Sequence, residues 1–335
     1  MKTKSDLVRE YVEKYIELGM KNGTGYSKRW ITGVILAENP KEFKDFEDVR
    51  FYVKKVTHTA GTTKRHMLEK DTDLARRFAL LEPPYKELEN TEPFIFPAYN
   101  KTLWIADLHS RFYDREALET AINYGIKRSC NSVVILGDFM DFYGYSKFQK
   151  SRLTLEQFET EREWGQSVLE MLQATFGYVV LKQGNHDLRR EMFVQAEAVR
   201  IPEMREITSY ADYLFYEGSN VNIVESHRHI VYGKLNAIHG HEYYGGGGIH
   251  IAHNRLNKTF DNTLSAHSHY PQSLIKPNIN GQYLGSWTLG CMCQLHAAYA
   301  PKNNWSHGCA VTEKEADGMF EVDNKLIVKN RMFAV

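Results

Sequence analysis

One stretch near the middle of the chain constrains the fold more than any other. A short apolar segment, Leu103–Ala106, precedes a helical pattern at 114–128 and a second apolar segment, Ser132–Leu136. A strand, a helix and a strand within about 30 residues form a βαβ unit, whose two strands lie parallel. A longer helical pattern at 155–176 and a third apolar segment, Tyr178–Lys182, extend this arrangement. The sequence therefore predicts an α/β protein whose sheet begins with parallel strands.

Polar residues follow each of the three predicted strands. Asp107 comes after the first strand, Asp138 after the second and Asn185 after the third. Open α/β sheets bind ligands just beyond the carboxyl ends of their strands, so we expect these side chains to lie together. Two histidine pairs follow in the C-terminal part, His239 with His241 and His267 with His269. This part is predicted to be rich in strands from about Ile223, with a hairpin across 316–318.

These side chains are suitable ligands for divalent metal ions. A mixture of carboxylate, imidazole and amide oxygen suits Mn²⁺, Fe²⁺ or Zn²⁺. Two cations ~3.5–4 Å apart repel each other, and an anion between them offsets the repulsion. Asp138, at a Gly-Asp turn, is the natural candidate for the bridging carboxylate.

Five short motifs occur in a fixed order along the chain. They are Asp107-Leu108-His109, Gly137-Asp138-Phe139-Met140-Asp141, Gly184-Asn185-His186-Asp187, His239-Gly240-His241 and His267-Ser268-His269. Any one of them can occur by chance, but the ordered set over roughly residues 101–270 resembles the calcineurin-like metallophosphoesterase superfamily. The resemblance implies a four-layer α/β sandwich, with two mixed β-sheets flanked by helices. It also implies that a metal-bound hydroxide hydrolyses a phosphate ester.

The resemblance implies a role for each motif residue. One metal ion would be bound by Asp107, His109, Asp138 and His269, and the other by Asp138, Asn185, His239 and His267. His186 would lie near the substrate phosphate, where it could protonate the leaving oxygen or only hydrogen-bond a phosphoryl oxygen, with Asp187 orienting it and Asp141 supporting the ligands. The chain departs from the family at Ala266, where glycine usually precedes the histidine.

Three further residues are candidates for binding substrate. Arg189 and Arg190 follow the third motif and could clamp a phosphate, although solvated charges at a helix start explain them equally well. His241 lies beside a predicted ligand, where it could contact substrate or hydrogen-bond a loop.

A narrower resemblance extends to the phage and prophage metallophosphoesterases. It rests on the glycine-rich stretch at 239–248, on Asp141-Phe142-Tyr143 and on the segment 285–291. Proteins of this subgroup also often begin with a small helical segment like residues 27–57.

The N-terminal part is predicted to be a small helical unit. One helical pattern covers 4–20, a second begins at Ser27 and a third follows Asp45. Together they predict a small helical unit at 1–70 that could be a helix-turn-helix. It carries 15 basic and 10 acidic residues, which permits DNA binding, although a solvated basic helix gives the same balance. A proline-rich linker at 71–100 and a metallophosphoesterase domain at 101–335 complete the predicted organisation.

Composition narrows the class of protein but not its partner. The 42 Lys and Arg residues balance the 42 Asp and Glu residues, so the net charge indicates no particular partner. The four cysteines lack the paired spacing of a zinc ribbon, so we expect reduced thiols. The charged N-terminus has no apolar signal region, and no apolar run reaches the ~18 residues that cross a bilayer. We expect a cytoplasmic protein with no membrane partner, in the host cytoplasm if a phage encodes it.

The leading functional hypothesis is a phosphodiesterase or nuclease that acts on nucleic acid or nucleotides. Its cofactors would be two divalent ions, Mn²⁺ first, with Fe, Zn or Mg as alternatives. A phosphomonoesterase, either a nucleotide phosphatase or a protein phosphatase, is the second hypothesis. Protein phosphatases of the superfamily carry a phosphate-binding Arg-Gly where this chain has Phe142-Tyr143. A third hypothesis is a DNA-binding module whose metal core is idle.

Overall fold

The chain divides into two compact units, Met1–Lys86 and Glu87–Val335. The computed structural model describes residues 2–22, 26–57, 90–146, 158–207, 209–243, 248–297 and 300–335. Most of the predicted linker and residues 155–157 of a predicted helix lie outside these ranges. The predicted domain boundaries therefore stay predictions.

The N-terminal unit contains three helices around a core of its own. Its helices are α1 (Lys4–Asn22), α2 (Lys28–Glu38) and α3 (Phe46–Val56). Ser27 and Asp45 cap α2 and α3 by accepting hydrogen bonds from backbone N–H groups, which explains why those helices begin where the sequence predicted. The buried side chains include Val8, Ile35 and Val49. Seven residues separate α2 from α3, more than the three or four of a standard helix-turn-helix.

The second unit combines five further helices with thirteen strands in the described residues. The helices are α4 (Arg115–Lys127), α5 (Phe158–Phe176), α6 (Arg189–Ala198), α7 (Tyr210–Leu214) and α8 (Ile251–Thr259). The strands are β1 (Phe94–Ile95), β2 (Lys101–Ile105), β3 (Ser132–Leu136), β4 (Tyr178–Lys182), β5 (Val221–Val224), β6 (Ile230–Tyr232), β7 (Leu235–Ile238), β8 (Thr263–Ser265), β9 (Gln272–Pro277), β10 (Tyr283–Thr288), β11 (His307–Lys314), β12 (Phe320–Val328) and β13 (Arg331–Ala334).

The strands form two mixed sheets. A seven-stranded sheet has the order β13-β12-β11-β2-β3-β4-β5, and a six-stranded sheet has the order β1-β6-β7-β8-β10-β9. Strands β2 to β5 are parallel neighbours, as the βαβ pattern predicted, while β11 joins β2 in the antiparallel sense. The predicted hairpin across 316–318 connects the antiparallel strands β11 and β12.

Alternate residues of the central strands separate two hydrophobic cores. Leu103 of β2 and Val133 of β3 face one core, which they share with residues of α4 and α5. Trp104 and Val134, the next residues along, face the core between the sheets. Because side chains alternate across a strand, each apolar segment supplies both layers. Helix α8 packs on the outer face of the six-stranded sheet, so the predicted four-layer sandwich is confirmed.

Part of the predicted linker is a strand instead. Residues Phe94–Ile95 form β1 at the edge of the six-stranded sheet, where they pair with β6. Phe96, which follows, is buried in the core between the sheets, so burial outweighs the proline-rich composition of this segment. Among the helices that the structure describes, none combines the length and the apolar character needed to cross a membrane.

Candidate metal centre

The predicted ligands meet at the carboxyl edge of the parallel strands. Asp107, Asp138 and Asn185 follow β2, β3 and β4, which are neighbours in one sheet. The histidines come from the adjoining loops that follow β2, β7 and β8.

Several of these residues have an unusual backbone conformation. Their φ angles lie in the left-handed region: Asp107 (53°), His109 (52°), Asp138 (49°), His267 (67°) and His269 (53°). This region costs a non-glycine residue about 1–3 kcal/mol and is concentrated at functional sites. The fold therefore holds these five side chains in place at the expense of local backbone strain.

Asp138 lies at the middle of the cluster. Its Oδ2 is 3.2 Å from His239 Nε2 and 4.0 Å from His109 Nε2. Asp107 Oδ1 is 3.4 Å from His269 Nε2 and 3.9 Å from His239 Nε2. Ligand atoms of Asp138, His239 and His267 lie within 4.8 Å of one another. This central position is the one that a bridging carboxylate requires.

Three buried polar atoms of the cluster have no hydrogen-bond partner in the described part of the chain. They are Asp107 Oδ1, Asn185 Oδ1 and His239 Nε2. His239 Nδ1 lies 2.7 Å from the carbonyl oxygen of Leu136, to which it donates, so in the neutral ring that binds a metal ion the lone pair is on Nε2. Buried polar groups are nearly always satisfied, and a cation satisfies two oxygens and an imidazole lone pair together. The residues present thus fit a divalent metal ion.

The electrostatics of the cluster also favour positive charge. Burial alone would lower the pKa of His239, but Asp138 and Asp107 raise that pKa to about 9. Burial would raise the pKa of Asp138, yet His239 and His186 hold it well below its usual value. The carboxylates are therefore ionised at neutral pH and attract cations.

Asp141 supports two of the histidine rings. Its Oδ1 accepts hydrogen bonds from Nδ1 of His109 at 3.0 Å and from Nδ1 of His186 at 2.7 Å. Buried Glu161 on α5 in turn accepts the backbone N–H groups of Asp141 and Phe142, at 3.0 and 2.9 Å. The bond to Asp141 places the proton on Nδ1 of His109, so that Nε2, which lies 3.3 Å from His269 Nε2, can bind a metal ion. Glu161 was not predicted from the sequence.

A buried ion pair supports the loop of His239. Glu242 accepts hydrogen bonds from the backbone N–H groups of His239, at 3.1 Å, and Gly240, at 2.5 Å. Lys182, which is fully buried at the end of β4, places its Nζ 3.1 Å from Glu242 Oε1. Burial would raise the pKa of Glu242, but Lys182 and His239 lower it to about 2. Neither Lys182 nor Glu242 was predicted from the sequence, although a lysine at the end of an apolar strand indicates a buried charge.

Two glycines leave space that the ligands fill. A Cβ on Gly137 would lie 2.2 Å from His239 Nδ1, and one on Gly184 would lie 2.2 Å from Asp138 Oδ1. Both distances are too short for any side chain. The glycine before Asp138 and the glycine before Asn185 are therefore needed for close packing of the ligands.

The family's glycine before the first histidine of the last motif is replaced by Ala266. This alanine is fully buried in the core between the sheets, and its backbone N–H donates to His239 O at 2.7 Å. The methyl group is thus accommodated, and His267 and His269 keep positions beside the cluster.

The structure corrects the role predicted for Asp187. Its carboxylate does not contact the ring of His186; it accepts hydrogen bonds from the backbone N–H groups of Gly184 at 2.7 Å and Met140 at 2.8 Å, and from Tyr210 Oη at 2.7 Å. Burial and the nearby Asp138 raise the pKa of Asp187 to about 6. Asp187 therefore joins the second and third motifs, and Asp141 orients His186.

The three candidate substrate-binding residues take different positions. Arg189 reaches the cluster, with Nη2 3.0 Å from His186 Nε2 and Nη1 2.9 Å from Asp141 O. Arg190 is buried, and its guanidinium carbon lies 4.8 Å from the ring centroid of Tyr213, so it packs inside the protein instead. His241 lines a cavity beside the cluster.

The cysteines are free thiols, but one of them lies at the cluster. Cys293 Sγ is 3.7 Å from His269 Nδ1, and ligand atoms of Cys293, His109 and His269 lie within 4.8 Å of one another. The spacing of the cysteines in the sequence did not predict this position, because the fold alone brings Cys293 close to His109 and His269.

A cavity of about 1040 Å³ opens beside the predicted ligands Asn185 and His267. Three aromatic residues, Tyr243, Tyr270 and Trp305, contribute to its walls. The ring of Trp305 also packs against His269, with 4.2 Å between centroids. The metal cluster and the cavity thus share one boundary.

The sequence profile of the calcineurin-like phosphoesterases matches residues 101–298, more than half of the chain. The chain belongs to the calcineurin-like phosphoesterase family. It is therefore a metal-dependent phosphoesterase, and the cluster supplies candidate ligands for the two metal ions that the family typically uses.

Two curated proteins of mycobacteriophages are similar to this chain. The Gene 54 protein of Mycobacterium phage L5 is 25% identical over 228 residues, which cover 62% of this chain and 86% of that protein. The Gene 54 protein of Mycobacterium phage D29 is 24% identical over 223 residues, covering 61% and 85%. These relatives are consistent with the predicted phage-type subgroup.

Solved structures that are similar to this chain include a Vps29 single mutant from Entamoeba histolytica and YfcE, a phosphoesterase from E. coli. The first is 12% identical, with a TM-score of 0.37, and covers 70% of this chain and 97% of that chain. The second is 13% identical, with the same TM-score and the same coverage.

Proposed function

We propose that this chain is a two-metal phosphodiesterase that acts on nucleic acid or nucleotides in the host cytoplasm, with Mn²⁺ as its first-choice metal. The observation that carries the proposal is that three predicted ligand atoms, Asp107 Oδ1, Asn185 Oδ1 and His239 Nε2, are buried without a hydrogen-bond partner among the described residues. One ion would be held by Asp107, His109, Asp138 and His269, and the other by Asp138, Asn185, His239 and His267.

The protein's own groups are arranged for phosphoryl chemistry. Two bound divalent ions lower the pKa of water and neutralise the charge of the phosphoryl oxygens. Asp141 fixes the ring of His186, so that Nε2 faces Arg189 and lies 3.9 Å from Asp138 Oδ2. Arg189 donates to His186 Nε2, and both side chains lie on one side of the cluster. In this proposal the guanidinium turns from Nε2 to a phosphoryl oxygen, and His186, after taking a proton from solvent at Nε2, protonates the leaving oxygen.

Two features support a diester over a phosphoprotein substrate. Phe142 stands at the position of the phosphate-binding arginine of protein phosphatases. It is fully buried in the core that β2 and β3 share with α4 and α5. The cavity beside the cluster has the size of a site for a whole small ligand, ~300–1000 Å³, and not for a phosphate alone. A diester needs room on both sides of its phosphorus.

The N-terminal unit supports a nucleic-acid substrate through its charge. Residues 1–70 carry 15 basic against 10 acidic residues. Phosphate contacts by such a unit weaken steeply with salt. Deletion of residues 1–70 should therefore reduce the affinity for DNA and its salt dependence; unchanged values would remove this support.

Hydrolysis of two chromogenic esters tests the function. Purified protein loaded with Mn²⁺, Fe²⁺, Zn²⁺ or Mg²⁺ is assayed on bis-p-nitrophenyl phosphate and p-nitrophenyl phosphate. Diester hydrolysis that Asp138→Ala and His186→Ala both abolish supports the proposal. Hydrolysis of the monoester alone indicates a phosphomonoesterase, and no turnover with metal demonstrably bound indicates an idle core.

A further inference from the structure

Arg255 on α8 is a buried cation that forms no salt bridge with the described part of the chain. Only 8% of the residue is exposed, and its Nε is buried without a hydrogen-bond partner. Burial lowers the pKa of Arg255 and the charge of Glu242 raises it, but no salt bridge joins the two residues, and the Glu242 carboxylate pairs with Lys182 at 3.1 Å. The face of the Tyr243 ring, 5.8 Å away, is its nearest aromatic contact.

Such an arrangement is unfavourable unless a ligand completes it. Burying an ionised group without a partner costs several kcal/mol. Burial lowers the pKa of Arg255, but a guanidinium keeps its charge in proteins. A methionine or leucine would fill the same space without this penalty, so the charge itself calls for a functional explanation.

The position of Arg255 relates it to the metal cluster. A Cβ placed on Gly240 would lie 3.0 Å from Arg255 Nη2 and 3.3 Å from His267 Cβ. Gly240 has a φ of +123°, which favours glycine, and it lies between His239 and His241 in the chain. The guanidinium therefore packs directly against the loop that carries one predicted metal ligand and close to a second.

Arg255 also lines the cavity that borders the cluster. Asn185 and His267 lie on the cluster side of the same cavity, and Tyr243, Tyr270 and Trp305 provide aromatic walls. A ligand bound there would have its reacting phosphate near Asn185 and a neighbouring part near Arg255. Aromatic walls beside a cation suit a strand whose bases stack while its phosphates form ion pairs.

We propose that Arg255 binds the phosphate that flanks the scissile phosphate in a nucleic-acid strand. Guanidinium groups recognise phosphate through paired, charge-assisted hydrogen bonds, and Nε, which has no hydrogen-bond partner among the described residues, is one of the donors that such a pair can use. This inference rests on the proposed phosphodiesterase function and adds the determinant that favours a strand over an isolated diester.

Calorimetric binding of two nucleotides tests the inference. The full chain loaded with Mn²⁺ is titrated with thymidine 3′,5′-bisphosphate and with thymidine 5′-monophosphate, and the ligands are recovered to verify that they are intact. We expect the bisphosphate to bind about 10- to 100-fold more tightly, as a charged hydrogen-bonded pair predicts. Equal affinities for the two nucleotides in the unaltered protein would overturn the inference.

Three variants assign the effect to Arg255. In Arg255→Met the affinity ratio should fall close to one, and in Arg255→Lys it should take an intermediate value. Lys258→Met, which removes a positive charge from the same helix, should keep the ratio. The melting temperature of Arg255→Met should equal or exceed that of the unaltered protein, because an unpaired buried charge is lost. An undiminished ratio in Arg255→Met contradicts the inference.

Turnover of dinucleotides separates this inference from the function on which it rests. The unaltered protein should favour 5′-phosphorylated thymidine dinucleotide over the unphosphorylated form in kcat/KM, and Arg255→Met should lose that preference. Diester hydrolysis with a preference that does not depend on Arg255 leaves the function standing and refutes the subsite. An Arg255-dependent affinity for the bisphosphate without diester hydrolysis refutes the function and leaves the subsite standing.

Discussion

The two halves of the metal centre are supported in different ways. On one side, Asp141 binds the rings of His109 and His186 directly, and Glu161 holds Asp141 through its backbone. On the other side, Glu242 binds the backbone of the His239 loop and forms an ion pair with buried Lys182. We call these the Asp141 half and the Glu242 half.

The halves also differ in what they leave unsatisfied. In the Asp141 half, Nδ1 of each supported ring has a carboxylate partner. In the Glu242 half, Asn185 Oδ1 and His239 Nε2 lack a partner among the described residues, and the exposed His267 borders the cavity. The Asp141 half is thus a preorganised ligand set, whereas the Glu242 half faces the space that a substrate would enter.

Asp138 belongs to both halves, and its loss should have the largest effect. Asp138→Asn removes the charge that lies between His109 and His239 while keeping the shape. We expect turnover to fall by at least about 10³-fold, because several kcal/mol of charge stabilisation are lost. Steady-state kinetics and metal stoichiometry measure this, with exposed Glu217→Gln as the control. Loss of a single ion with most activity retained would contradict a bridging role.

The Glu242 half should depend on its ion pair for stability. Glu242→Gln keeps one of the two oxygens that accept the backbone N–H groups of His239 and Gly240, and it leaves Lys182 without its ion-pair partner. We expect the free energy of unfolding to fall by about 3 kcal/mol, the cost of breaking a buried pair. Urea denaturation measures this value.

The double variant Lys182→Met with Glu242→Gln is the control for the ion pair. It should be less destabilised than the sum of the two single variants, because it no longer buries an unpaired charge. Additive single effects would mean that the two residues act independently.

The Asp141 half should depend on its carboxylate for metal affinity. Asp141→Asn weakens the acceptor for Nδ1 of His109 and His186. We expect one of two metal-binding steps to weaken by about 10- to 100-fold, the usual effect of a residue that orients a ligand. Calorimetric titration with Mn²⁺ measures both steps, and equal weakening of both would show that the halves are not independent.

The sequence predicted the central strands well and placed the motif residues at their ends, because both signals are local. The bounds of β3 and β4 agree with the predicted Ser132–Leu136 and Tyr178–Lys182, since each is a short apolar run between polar turns. The five motifs placed polar residues at strand ends, and parallel pairing then brings them together. The supporting residues could not be found in this way.

The missed residues depend on contacts between distant parts of the chain. Lys182 and Glu242 are 60 residues apart, and Glu161 looks like an ordinary helix-surface acid until α5 is placed against the second motif. Arg255 lies in a helix whose periodicity gives no sign of burial. Asp187 follows His186 directly, but the turn directs its carboxylate towards Gly184 and Met140.

The smallest expected effect concerns Ala266, the position where this chain departs from its family. Ala266 is fully buried between the sheets, and its φ is not positive, so alanine fits the backbone there. Ala266→Gly should lower the free energy of unfolding by about 1–2 kcal/mol, through lost methyl burial and a more flexible unfolded chain. Turnover should stay within about twofold, because the backbone bond to His239 O is kept. A large loss of turnover would mean that the methyl group itself positions His267, and would make the Glu242 half the more finely adjusted of the two.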